Sequence, residues 1–372
     1  MGFRDIINQE QAKEFLKSSI RSDRVGNGYL FHGPRGVGKA STALAFAQAL
    51  NCEKEDLEAC GECSSCRRIA RFMYPDVTFL FPTTSTNEYE EIVSTLKGRS
   101  EEVVFVHSFS QSASIKIKAI QDLRMTLAMG VREGRRRVII LAHTERMKPE
   151  ASNCLLRMLE EPTAGVTFVL TVTSRHILLP TILSRCQAVR FVPLPSADVE
   201  RVLVEKKLAS AGEARILAKL SGGSLVAALE FAGQGIVKYR HDTLEYLRRI
   251  GSREPSEALR AAEKLASAGD RNQVRIFVHL ALLWMRDLFL LKCGVVNGEI
   301  ANADMIDDLK REASLVDLGE LRRRVDILEE AVSSMEHNVD LSLGLASSFL
   351  RLEGFAKEAS NPLDLQRHSS EF

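Results

Sequence analysis

The stretch Gly28-Tyr-Leu-Phe-His-Gly-Pro-Arg-Gly-Val-Gly-Lys39 decides the fold. Gly28–His32 is a short, mostly apolar run of strand character, and Gly33, Gly36, Gly38 and Lys39 follow it at the spacing G-x-x-x-x-G-K. A helical pattern then runs through Ala43 to Leu50. A strand, a glycine-rich turn and a helix in that order make a phosphate-binding loop. Successive backbone N–H groups converge on an anion at the helix N-terminus, and the lysine reaches its β and γ phosphates. The plainer alternative, a tight turn that happens to carry glycines, accounts less well for these flanks.

Working outward, a helix over Gln9–Ser22 precedes the loop, and apolar strands read at Val77–Phe81, Val103–Val106, Val138–Ala142, Val166–Val172 and Ala188–Val192. Helical patterns separate them, clearest at Ile115–Ala128 and Pro149–Glu161. That alternation predicts an α/β domain over residues 1–195, a parallel sheet covered on both faces. The polar, threonine-rich segment Pro82–Glu102 reads as a surface insertion. After Pro193 and Pro195 the strands stop, and helical periodicity runs from Asp198 to Ala359. Glycine breaks at 221–224 and 233–235 divide it into a small helical domain, 196–236, and a larger one, 237–359, with a tail at 360–372.

Composition excludes several classes. Among 372 residues, 50 Lys and Arg stand against 49 Asp and Glu, so the chain is neither a polycationic nucleic-acid coat nor an acidic disordered segment. No apolar run approaches eighteen residues, and the first fifteen lack the apolar core of a secretion signal, so a cytoplasmic protein without a membrane span is expected.

The phosphate loop carries defects. Ala40 stands where Ser or Thr presents a hydroxyl to Mg²⁺, and Ser41 is rotated from that direction by about 100° of helix. At the end of Val138-Ile-Ile-Leu-Ala-His143, Ala142 and His143 occupy the places of the metal-binding acid and the water-polarising acid of nucleotide hydrolases. His143 is a candidate base, although a histidine at the end of a buried strand more often serves the structure. With both carboxylates missing, the site is expected to bind ATP or ADP weakly or not at all, and not to hydrolyse it.

Four of the seven cysteines, Cys52, Cys60, Cys63 and Cys66, fall within fifteen residues. They suffice for a closed tetrahedral Zn²⁺ site with no position left for water, hence a structural one. A redox C-x-x-C is the competing reading, and overlapping pairs plus a fourth thiol fit metal better. Cys154, Cys186 and Cys293 read as small hydrophobes.

An ordered set of motifs then carries a resemblance: Phe3-x-x-Ile-Ile-Asn-Gln-Glu10, Gly28-Tyr-Leu-Phe-His-Gly-Pro34, the four cysteines, Asn153-Cys-Leu-Leu-Arg-Met-Leu-Glu-Glu-Pro162 and Pro180-Thr-Ile-Leu-Ser-Arg-Cys186. Over residues 1–235 the chain resembles the bacterial DNA polymerase III clamp-loader family of the AAA+ class. That resemblance implies a zinc module at 52–66, a lid at 196–236 and an oligomerisation collar at 237–359. The family holds gamma/tau motors and an ATPase-deficient delta-prime kind. Ala40, Ala142 and His143, with Val226 in the place of the motors' phosphate-sensing Arg, are departures from the motor pattern. The deficient kind is therefore expected, with Arg185 of Ser-Arg-Cys as an arginine finger for a neighbouring subunit's ATP site. Partners implied are gamma/tau- and delta-type subunits, the sliding clamp and primed DNA. An active motor using Ser41 and His143, or an AAA+-like adaptor outside replication, are the rival readings.

Other basic residues carry weaker signals. Arg135-Arg-Arg137 could touch phosphate backbone or merely be solvated, and Lys116, Lys118 and Arg124 form no single stripe. The helical stripe Val274, Phe277, Val278, Ala281, Leu282, Met285, Leu288 and Phe289 reads mainly as bundle core, broad enough for a second, intersubunit face.

Overall fold

The computed structural model describes residues 2–54, 57–85, 93, 113–127, 130–233, 236–248, 254–267, 271–294, 300–336 and 341–354. The expected strand Val103–Val106, most of the 82–102 insertion and the tail at 360–372 lie outside them. The chain divides into two compact units, one of residues 1–206 and 221–230, the other of 207–220 and 231–372.

In the first unit, α1 (Glu10–Arg21) leads into β1 (Gly28–His32), the glycine loop and α2 (Lys39–Leu50). Then follow α3 (Ser64–Ala70), β2 (Val77–Leu80), α4 (Ile117–Leu127), β3 (Arg137–Leu141), α5 (Pro149–Glu160), β4 (Val166–Val172), α6 (Pro180–Leu183), β5 (Gln187–Arg190) and α7 (Ser196–Glu205). The five strands form one parallel sheet in the order β2-β3-β4-β1-β5. Strand alternation serves two cores. Tyr29, Phe31, Val138, Ile140 and Val169 face a cluster with Leu16, Phe46 and Ile69 of α1–α3. Leu30, Ile139, Leu141, Phe168 and Leu170 face another with Ile120, Leu155 and Ile182 of α4–α6. Burial on both faces is why these strands read as continuous apolar runs rather than alternating ones. Five such side chains on each face, at about 1.5–3 kcal/mol apiece, are the main stabilisation of the sheet.

β5 ends two residues earlier than expected. Phe191 N–H still bonds the His32 carbonyl, but Val192 N–H donates to Gln9 Oε1 and Pro193 ends the ladder.

The described residues of the second unit are helical: α8 (Ala211–Leu220), the end of α9 (Leu225–Gly233), α10 (Ile236–Arg248), α11 (Pro255–Ser267), α12 (Arg271–Lys292), α13 (Ile306–Leu315), α14 (Leu318–Glu336) and α15 (Leu341–Leu352). α12 is the axis of this core, with Val274, Val278, Ala281, Trp284, Met285 and Leu288 almost wholly buried. The apolar stripe is therefore core, with Phe289, half exposed, as its exception. Trp284 Nε1–H donates to Glu312 Oε2 at 2.8 Å, giving the buried indole its polar partner. No helix of the described residues is long and apolar enough to cross a membrane.

Candidate functional site: a phosphate loop, a thiol cluster and a docked arginine

Gly33 (φ +148°), Gly36 (+76°) and Gly38 (+95°) all adopt backbone angles that L side chains avoid, and Gly38 caps α2. A Cβ on Gly33 would stand 2.3 Å from the Phe191 carbonyl oxygen, and one on Gly36 2.2 Å from Ser224 Oγ and 3.0 Å from Val226 Cβ. Val226, in the place expected of a phosphate-sensing Arg, thus lies against the loop, held there by Leu225 N–H donating to the Gly36 carbonyl. Lys39 is buried and turned onto its own loop. Nζ donates to the carbonyls of Gly33 and Pro34, each at 2.6 Å. Burial pulls its pKa down to about 8, partly opposed by Glu145.

Ser41 is buried in α2, and the Thr42 hydroxyl donates to the Gly38 carbonyl. Ala142 is buried at the end of β3, and His143 adopts a left-handed conformation with Nδ1 3.3 Å from Glu145 Oε1. Glu145 was not singled out from the sequence. Burial raises its pKa, but His143 and Lys39 among others outweigh this and hold it below the usual carboxylate range. The signal was an acid three residues past the strand, where position-by-position comparison stops at 142 and 143. His32 was also overlooked. Burial, then the charges of Arg175, Arg190 and Lys39 near the end of β1, depress its pKa. His32 pairs in register with Val172 and Arg190, a neighbourhood that sequence spacing does not show.

The four cysteines come together. Their sulfurs all lie within 4.8 Å of one another, and Cys60 and Cys66 Sγ are 4.0 Å apart. Thiolates at about 2.3 Å from one zinc sit about 3.8 Å apart, so the cluster fits a tetrahedral ion. Backbone geometry supports it: Cys60, Cys63 and Cys66 N–H groups donate to the sulfurs of Cys52, Cys60 and Cys63 at 3.4–3.5 Å. Burial pushes the Cys60 thiol up, but N–H donation from Cys63 and Glu62 and the adjoining thiols bring it down to about 7. The module is anchored to α2 by Gln48, whose Nε2 donates to the Cys66 carbonyl. Among the described residues the remaining thiols join no such cluster. Cys186 is pushed up to about 12 by burial.

Arg185 lies elsewhere. A Cβ on Gly28 would meet the Arg185 carbonyl oxygen at 2.9 Å, so the Ser-Arg-Cys turn sits at the start of β1, whereas the phosphate loop begins at its end. Four strand steps, about 13 Å, separate them. Its guanidinium donates to the Thr181 carbonyl (2.9 Å) and Ser184 Oγ (3.1 Å) and pairs with Glu160 (2.9 Å).

Of the basic runs, Arg137 is buried with its guanidinium on the Thr126 and Gly130 carbonyls, and Arg136 holds Thr167 Oγ1 and the Val25 carbonyl. Both serve the structure, which removes two thirds of the Arg135–Arg137 run as a phosphate-backbone contact.

Residues 8–195, a little more than half of the chain, match the protein family described as "DNA polymerase III, delta subunit". The chain belongs to that family. Among its described residues, five parallel strands form an α/β sheet with the phosphate loop at the end of β1. Among its relatives, DNA polymerase III subunit delta' of Bacillus subtilis is 30% identical over 57% of this chain and 56% of its own length. Subunit tau of the same organism is 26% identical over 90% of this chain and 58% of its own. A gamma subunit-related DNA polymerase III protein of Thermotoga maritima is similar in structure over 93% of this chain and 99% of its own, at 18% identity and a TM-score of 0.42. The matches to the two Bacillus subunits thus span little more than half the length of those relatives.

Proposed function

We propose that the chain is an ATPase-deficient, delta-prime-type subunit of a bacterial replicative clamp loader, supplying Arg185 to a neighbouring subunit's ATP site. The observation that carries this reading is the placement of two groups at opposite ends of β1. The chain's own loop has Ala40, Ala142, His143 and Val226 where a motor needs a hydroxyl, two carboxylates and an arginine. Arg185 is about a strand's length away from that loop, beyond reach of a phosphate bound in it. An arginine that serves phosphoryl transfer from there serves it in trans. Planar bidentate contact with phosphate suits Arg, and arginine fingers are worth on the order of 10³–10⁵ in rate.

In this reading Gly33, Gly36, Gly38 and Lys39 are a degenerate nucleotide loop. Cys52, Cys60, Cys63 and Cys66 hold a structural Zn²⁺, residues 196–236 form the lid, and 237–359 form the collar that joins gamma/tau- and delta-type partners. The assembly would open the sliding clamp and place it on primed DNA in the cytoplasm. The tau likeness over nine tenths of the chain favours a second reading, an active motor. Against it, Ser41 is buried and His143 Nδ1 faces Glu145.

Two measurements separate the readings. The purified chain is expected to show no Mg²⁺-dependent ATP turnover; robust turnover favours the motor. In the reconstituted loader, Arg185→Ala is expected to abolish turnover at one adjacent site, and unchanged ATPase removes the trans role.

A further inference from the structure

We infer that Glu160 is the positioning residue of the Arg185 guanidinium, fixing the side chain in one presented geometry before a neighbouring subunit arrives. The inference rests on the trans role proposed above. Three observations lead to it.

Glu160 is the last residue of α5, followed by Glu161, so two acids stand at the negative end of a helix. Charge of that sign is disfavoured there, and helix stability therefore gives no account of the pair. Glu160 Oε1 lies 2.9 Å from Arg185 Nη2. On the other side, Nη1 is held by the Thr181 carbonyl and Ser184 Oγ, both from the turn that Arg185 itself ends. The guanidinium is thus fixed from two elements, α5 and the end of α6. These elements are themselves clamped onto the start of β1: Leu159 Cδ2, the Arg185 carbonyl and Cys186 Sγ all crowd the space at Gly28. A guanidinium has five N–H groups, and three acceptors leave at least two of them for a partner's phosphate.

The ion pair contributes little as stability. Arg185 and Glu160 side chains are 35% and 40% exposed, where water screens the attraction. For the same reason the carboxylate cancels little of the charge Arg185 would present. What remains is geometry. A long side chain freed from Glu160 samples several rotamers, and misplacement of a catalytic group by about 1 Å can cost on the order of 100-fold in rate.

The test uses the loader reconstituted with its own gamma/tau- and delta-type partners, clamp and primed DNA, comparing Glu160→Ala, Glu160→Gln and Arg185→Ala. Glu160→Ala is expected to lower the Arg185-dependent part of kcat for ATP about fivefold with KM unchanged, the most that a pair this exposed can hold in place. Glu160→Gln keeps an acceptor oxygen, and should recover that part to within about twofold of the parent by the same reasoning. The melting temperature of the free subunit should not move. Wild-type kcat in Glu160→Ala beside a dead Arg185→Ala overturns the positioning role and leaves the finger standing. Wild-type rates in both overturn the finger itself. A rise in kcat, or a change in KM alone, also overturns the inference, since it would mean that Glu160 restrains the finger or acts on nucleotide binding instead.

Discussion

At the scale of single residues, the phosphate loop keeps its left-handed glycines, with Ala40, Ala142 and His143 at the positions on which the proposed deficiency rests. Lys39 is the residue to test, because its ammonium donates to two carbonyls of its own loop. Replacing it should therefore matter to folding more than to turnover. Lys39→Ala is expected to destabilise the free chain by about 1–3 kcal/mol, while ATPase of the assembled loader stays within about twofold of the parent. Loss of that ATPase would return the loop to the ranks of active sites. Asp76 carries a second residue-scale prediction. It is fully buried, and its carboxylate accepts N–H bonds from Arg132, Glu133 and Gly134, tying the loop before β3. Burial raises its pKa, but those three donors and Arg137 outweigh it, and the net shift is downward. A carboxylate depressed on folding stabilises the native state above its unfolded pKa of about 4 and loses that contribution as pH falls through the lower, folded value. Asp76→Asn should cost about 2 kcal/mol at pH 7. The gap between variant and parent in urea unfolding should narrow below about pH 4. A gap independent of pH would show that the charge contributes nothing.

At the scale of elements, what the sequence revealed depended on how local the cause was. β1, the glycine loop and α2 were legible because strand, turn and helix chemistry sit in one short run. The doubly buried strands were legible for a like reason, Val138–Leu141 carrying apolar side chains to both faces. The thiol cluster was legible because three of its ligands lie within seven residues. The positions that escaped are those whose partners come from distant segments: Glu145 beside the loop lysine, His32 between Val172 and Arg190, and Glu160 against Arg185. The stop of β5 belongs with them, since Gln9 meets it across 183 positions of sequence. Arg136 and Arg137 erred the other way, appearing as a surface charge run although buried carbonyls and a hydroxyl engage them. The loop makes its own element-scale prediction. Gly33 packs against Phe191 at a left-handed φ, so any side chain there displaces the start of the loop from the end of β5. Gly33→Ala is expected to destabilise by about 3 kcal/mol. A variant as stable as the parent in urea would mean that the loop moves freely away from β5.

At the scale of the whole molecule, two units with different core architectures share one chain. The first is a sheet with helices on both faces, and the second is a bundle organised around α12. The thiol cluster belongs wholly to the first: Cys52, Cys63 and Cys66 are part of the α1–α3 core, and Cys60 packs against it. A metal bound only by the folded form stabilises by mass action the unit that builds its site, and no other. Calorimetry should accordingly resolve two transitions, one for each unit. A strong chelator should lower the transition of the unit containing the sheet by several degrees, since about 1 kcal/mol moves a domain of this size by 2–4 °C, and should leave the helical unit's transition in place. Metal analysis of the untreated chain should return one zinc per molecule, falling to none when Cys66 is replaced by Ser. Cys66 is the most telling of the four to remove. It is fully buried and its backbone carbonyl, which accepts from Gln48 of α2, is kept on replacement by Ser, so the variant loses the thiolate and keeps the anchor of α3. If chelation shifts both transitions equally, the ion contributes to more than the sheet unit. If it shifts neither, the four sulfurs are neighbours without a metal, and the redox reading of the pairs regains the ground it lost to zinc.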